Sequence, residues 1–296
     1  MTGPRTTADG RDAESPLRRI IERRPLQSFV LLAILVSWPA WGMLAVYGLV
    51  PGLNLAGVLW LLGGLGPPIS AVIVLGAAEG GHAVWRLLDR LMLWRVERRW
   101  YVVAVLLPGV VVGVALFIDA IVFDVPTPVP SLDLVPLFVG SILANMVIGG
   151  GLEEIGWRGF ALPRLQAEYS ALTASLMIGV VWVGWHAPLF VVPGAIQAEL
   201  AFLPFFVQGI ALSVLFTWLY NSTRGSLLLV VLLHGAVNAW LTSVWFLRGD
   251  VNSTTLWVFA GLVGVTAVCV VVMCGGEHLS RHRRQIDRTT GSDGSR

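Results

Sequence analysis

The chain has 296 residues, 56% hydrophobic and 13% charged, with a formal net charge of +2. A soluble domain of this size carries nearly twice that charged fraction. Apolar runs of 18 or more residues recur along the chain, which excludes a single soluble globular domain and predicts an all-α, polytopic membrane protein. The lipid bilayer is therefore its first expected partner, and no nucleic-acid partner is expected.

Residues 1–26 read as a flexible cytoplasmic tail, with no cleavable signal segment evident. A transmembrane domain is expected over 27–276, followed by a second flexible cytoplasmic tail over 277–296. The first span is expected at 27–50, with Pro39 inside it and Pro51-Gly52 as the turn. The second, 53–78, carries Gly66-Pro67-Pro68 and is expected to be kinked or broken there. Residues 82–99 place Val84, Leu87, Leu88, Leu91 and Trp94 on one face. This pattern predicts an interfacial amphipathic helix anchored by Trp85, Trp94 and Trp100.

The third span is expected at 100–123, a Pro-rich loop follows, and the fourth starts near Leu134. A short surface helix or turn is expected over 160–165. The remaining spans are expected at 171–192, 200–220, 226–247 and 254–274, giving about eight. Arginine supplies all 20 basic residues, and with the N-terminus inside, Arg248 is the one left on the outer side. That asymmetry places both termini in the cytoplasm, in the cell membrane. Cys269 and Cys274 are five positions apart and face different directions on a helix, so no disulfide or metal pair is expected.

Two adjacent acids, Glu153 and Glu154, end the fourth apolar run, and an ionised group in hydrocarbon is by default functional, with a partner to be found. Helical spacing pairs Glu154 with Arg158 and puts Trp157 beside Glu153, so the two carboxylates have different environments. His186 lies in the fifth span, one turn after Trp182; His234 and Asn238 share a face of the seventh. Singly, an intramembrane His or Asn is most often helix–helix glue, and an Arg at a span end a topology signal. Together, two acids, two imidazoles and an amide on three spans are the parts of a water-activating hydrolase: a proton acceptor, a second acid/base and an oxyanion donor.

Glu153-Glu154-x-x-Trp157-Arg158, Trp182-x-x-x-His186 and His234-x-x-x-Asn238 resemble, in order and spacing, the three motifs EExxxR, FxxxH and HxxxN of the CPBP (Abi) intramembrane proteases. That family includes the type II CAAX prenyl endopeptidases. The resemblance covers about residues 80–250, and Trp182 stands where phenylalanine is usual. It implies a helical-bundle endopeptidase that hydrolyses a peptide or membrane-protein tail near the cytoplasmic face. Under it, Glu153 activates water with His186, Glu154 and Arg158 hold the first motif, and His234 and Asn238 stabilise the oxyanion. No cofactor is required in this mechanism. Glu153, His186 and His234 could instead form a zinc site, the metalloprotease variant, but Asn is a poor zinc ligand and a good oxyanion donor.

Two other classes stay open: a proton- or solute-coupled transporter, supported by the broken helices, and a catalytically silent scaffold or immunity protein. Oligomeric state is not legible. The expected boundaries also conflict. They put Glu153 roughly 28 Å along its span, at the cytoplasmic boundary, and His186 roughly 22 Å in from that boundary. The two could meet only if the fourth helix continues past Arg158 and the fifth starts later or tilts.

Overall fold

The computed structural model describes residues 16–48, 55–126, 131–248 and 253–281. The expected turn at Pro51-Gly52, the first 15 residues and Arg283, Arg284 and Arg288 lie outside the described residues. The described chain is helical throughout: α1 (Pro16–Arg23), α2 (Pro25–Tyr47), α3 (Leu55–Gly64), α4 (Gly66–Glu79), α5 (Gly81–Asp89) and α6 (Arg98–Val122) form its first half. The second half holds α7 (Val135–Val147), α8 (Leu162–Gln166), α9 (Ala171–Trp185), α10 (Phe202–Ser222), α11 (Leu227–Arg248) and α12 (Ser253–Cys274). Among the described residues seven segments are long and apolar enough to cross a membrane, or eight if the pair α3 and α4 is one span. The protein is a polytopic helical bundle.

The second span is broken where the sequence demands it. Pro67 and Pro68 remove backbone donors and disfavour the α conformation before them, so α3 stops at Gly64 and α4 leaves at 53°. Small residues let α2 pack closely onto both pieces: a Cβ at Gly63 or Gly66 would collide with Trp41 or Ser37. The Ser37 hydroxyl donates to the Gly63 carbonyl at 2.7 Å.

Four local expectations are corrected. Residues 16–23 form helix α1, and Ile21 packs on the core, because 16–23 is amphipathic and not merely polar. The interfacial helix ends earlier than its apolar periodicity suggests: α5 passes into a short 3-10 turn, Arg90–Met92, and Trp94 lies beyond it. Trp85 and Trp94 are exposed as anchors should be, but Trp100 is buried edge-on against Trp218 at 5.3 Å. Phe160, Ala161 and Leu162, expected at the surface, are buried. Finally, the start of the supposed C-terminal tail is packed. Leu279 is buried, and the Glu277 and Gly276 carbonyls accept from the first amides of α9, whose own first turn lacks intrahelical acceptors.

At the centre stand α10 and α11, each 61% buried over its apolar window, against 6% for the segment Leu132–Glu153. Helix α11 packs on α6 and α7, and α10 on α9 and α12. Gly235 makes the α7–α11 approach possible, since a Cβ there would lie 2.9 Å from the Ile142 carbonyl oxygen.

Candidate active site

Helix α7 has 13 residues, about 20 Å at the helical rise, which is too short for a hydrocarbon core of about 30 Å. The chain therefore finishes its crossing in other conformations. Gly149 and Gly150 break the helix, a 3-10 turn runs Gly151–Glu153, and a π-helix occupies Ile155–Ala161 before α8. Non-helical backbone at membrane depth must be covered by protein, and all seven residues of the π-helix are buried. Gly156 lets it sit against the break between α3 and α4, where a Cβ would lie 2.7 Å from the Pro67 carbonyl oxygen. π-Turns inside helices concentrate at functional sites.

This path removes the depth conflict. From Glu153 to Gln166 the chain runs roughly 20 Å at helical rise, then reverses, and α9 climbs roughly 17 Å from Ala171 to Trp182. The helical run does continue past Arg158, as expected, but α9 starts at Ala171 and needs no later start. Glu153, Trp182, His186 and His234 come together, all buried.

The two carboxylates have separate partners. Arg158 Nη1 lies 3.1 and 2.9 Å from the two Glu154 oxygens, and both side chains are fully buried. Arg158 also donates to the Ser213 hydroxyl at 3.0 Å, and Ser213 donates onward to the Ser175 carbonyl at 2.7 Å. The guanidinium sits over Phe216 at 4.8 Å and Trp182 at 5.2 Å. Glu154 Oε1 is also 2.7 Å from His234 Nδ1. A carboxylate facing Arg can only accept, so Nδ1 is the donor.

Glu153 takes a different donor. Its Oε2 accepts from the Trp182 indole N–H at 2.8 Å. His186 Nδ1 is 2.8 Å from the Trp182 carbonyl, which again fixes Nδ1 as the donor. In both imidazoles Nε2 is thus the nitrogen left for chemistry. A methyl group placed on Gly150 would lie 2.8 Å from His234 Nε2 and 3.0 Å from Glu153 Oε1. The missing side chain of Gly150 leaves a small gap onto which a carboxylate oxygen and an imidazole nitrogen both face.

Asn238 also makes a contact that the sequence did not suggest. Its amide donates to the Gly149 carbonyl at 2.5 Å, holding the turn before Glu153, with one N–H left over. Sequence reasoning missed three contributors: Gly150, Ser213 and the indole nitrogen of Trp182. The triplet Gly149-Gly150-Gly151 was the available signal for the first; no sequence pattern marks Ser213. As for zinc, among the described residues no three His, Cys, Asp or Glu side chains converge as a metal-holding group. The alternative zinc set, Glu153, His186 and His234, is not among such groups.

Comparison with known proteins agrees with the motifs. Residues 135–240 match the family model described as type II CAAX prenyl endopeptidase Rce1-like. The stretch holds α7, the π-helix and all three motifs. The chain is also similar to CAAX prenyl protease 2 of Methanococcus maripaludis, at 32% identity over 114 residues, covering 36% of this chain and 40% of that protein. The chain thus matches about two fifths of the curated relative's length. The likeness to the CPBP and type II CAAX endopeptidase family read from the three motifs is borne out over the stretch that carries them.

Proposed function

Taking the Rce1-like stretch 135–240 as premise, we propose that this chain is an intramembrane endopeptidase hydrolysing a peptide bond near the cytoplasmic membrane face. One observation carries the reading: Glu153 Oε1 and His234 Nε2 converge on the gap beside Gly150. A water there gives its proton to Glu153, and its oxygen attacks the substrate carbonyl. His234 in its cationic form carries a proton on Nε2 while Nδ1 stays bonded to Glu154. Its Nε2–H then donates to the oxyanion, together with the remaining N–H of Asn238. The proton held by Glu153 passes to the leaving nitrogen as the C–N bond breaks. His186 Nε2 orients the water. Glu154 and Arg158 fix His234, and no step passes through a metal.

The name of the archaeal relative puts prenylated CAAX tails first among substrates to try. The protein reconstituted in proteoliposomes should cleave a prenylated CAAX-type reporter peptide, and Glu153→Ala should lower turnover by roughly 10²–10⁴-fold, the usual worth of a general base. Undiminished turnover by a folded Glu153→Ala protein would overturn the assignment of Glu153 as the base, and no cleavage by the parent, with its biological function surviving Glu153→Ala, would favour a silent scaffold. The transporter alternative rests on broken helices near Pro39 and Pro67-Pro68, but α2 runs on through Pro39 and the break between α3 and α4 is packed against the π-helix. Residues 27–276 are proposed as one transmembrane domain with a core at about 80–250.

A further inference from the structure

Resting on that peptidase reading and deepening it, we propose that Trp182 is a positioning residue for Glu153, acting through its indole N–H and not through the bulk of its ring. Arg158 and His234 Nδ1 both serve Glu154. The hydrogen bond from Trp182 is the one made to the Glu153 carboxylate among the described residues. It fixes Oε2, and a planar carboxylate with one oxygen fixed has its other oxygen aimed. Here that oxygen faces the gap beside Gly150.

Packing alone does not require this bond. The indole nitrogens of Trp41 and Trp157 are equally buried nearby and have no partner, so the bundle accepts a tryptophan there without one. Trp182 also reaches the second water-facing group, because its carbonyl accepts from His186. That link uses backbone, which every residue supplies, whereas the link to Glu153 needs an indole. Substitution of the side chain therefore separates the two. Trp182→Phe keeps a ring against Phe216, His234 and the Arg158 guanidinium and removes the donor to Glu153.

The experiment measures cleavage of the prenylated reporter peptide by the full chain in proteoliposomes. Trp182→Phe should lower kcat by roughly 10- to 100-fold, the worth of a hydrogen bond to a charged group, with KM and thermal midpoint close to those of the parent. In a Glu153→Asp background, whose carboxylate is one methylene shorter and withdrawn from the indole, Trp182→Phe should cost nothing further. If Trp182→Phe unfolds, Trp182 is replaced by benzothienylalanine, which has the indole shape without the N–H, and the same fall in kcat is expected. Unchanged kcat in either folded protein, or an equal further loss in the Glu153→Asp background, overturns the proposal while the peptidase reading stands. Cleavage by Glu153→Gln at the parental rate overturns both.

Discussion

Gly150 shows how much a missing side chain can determine. Its φ of +110° lies where L side chains are rarely found, and a Cβ would fill the gap between His234 Nε2 and Glu153 Oε1. Gly150→Ala should therefore abolish cleavage and add strain of about 1–2 kcal/mol. Gly140→Ala, where a Cβ meets nothing within 4 Å, should leave turnover unchanged; assaying the two side by side checks the claim. The acids, the arginine and the imidazoles were legible in the sequence because i, i+4 spacing is a property of any helix. Gly150 was marked only by the glycine triplet 149–151 and not by spacing, since a positive φ has no periodicity to betray it. The Trp182 N–H was hidden for another reason: motif comparison treats the position as an aromatic ring and is blind to the donor. The bond from Asn238 to the Gly149 carbonyl was not legible, because that acceptor becomes available only once the helix has broken.

Among the described residues two buried ion pairs tie the bundle, at different places and with different consequences. In one, Arg158 of the π-helix holds Glu154 and reaches α10 through Ser213. In the other, Asp119 of α6 meets Arg248 at the end of α11 at 2.9 Å and Thr255 of α12 at 2.5 Å. Removing one member of a buried pair leaves an uncompensated charge, at a cost of about 3–5 kcal/mol. Arg158→Met should lower stability by that order and also end cleavage, because Glu154 orients His234. Asp119→Ala should cost a similar stability yet leave kcat of the folded fraction unchanged, since none of its partners touches the site. Thermal unfolding with turnover per folded molecule distinguishes the two. The membrane-crossing helices were readable from apolar run length, whereas the short amphipathic α1 was not. The Asp119 pair was not: its partner lies 129 residues away, and the sequence reading gave Arg248 to an outer loop. The π-helix was also hidden, because hydrophobicity looks the same in a surface turn and a buried coil.

The path of the whole chain through the membrane depends on α3 and α4. If the bent pair is a re-entrant loop, there are seven crossings and the termini lie on opposite sides; if it is one broken span, there are eight and they lie on the same side. The positive-inside rule weighs on the side of one of these. A re-entrant pair would put residues 81–99, with Arg86, Arg90, Arg95, Arg98 and Arg99, on the side opposite Arg18, Arg19, Arg23 and Arg24, against the positive-inside rule. A broken span puts both groups in the cytoplasm with Arg224. It leaves Arg248 outside, already neutralised within the bundle by Asp119. We therefore expect fluorescent-protein fusions at residue 80 and at the C-terminus both to mature in the cytoplasm, and an alkaline phosphatase fusion after Phe123 to be active outside. An active phosphatase fusion at residue 80 would mean that α3 and α4 return to the side they entered from. The α9 entrance would then lie outside, and the proposed cleavage would have to move to the opposite face of the membrane.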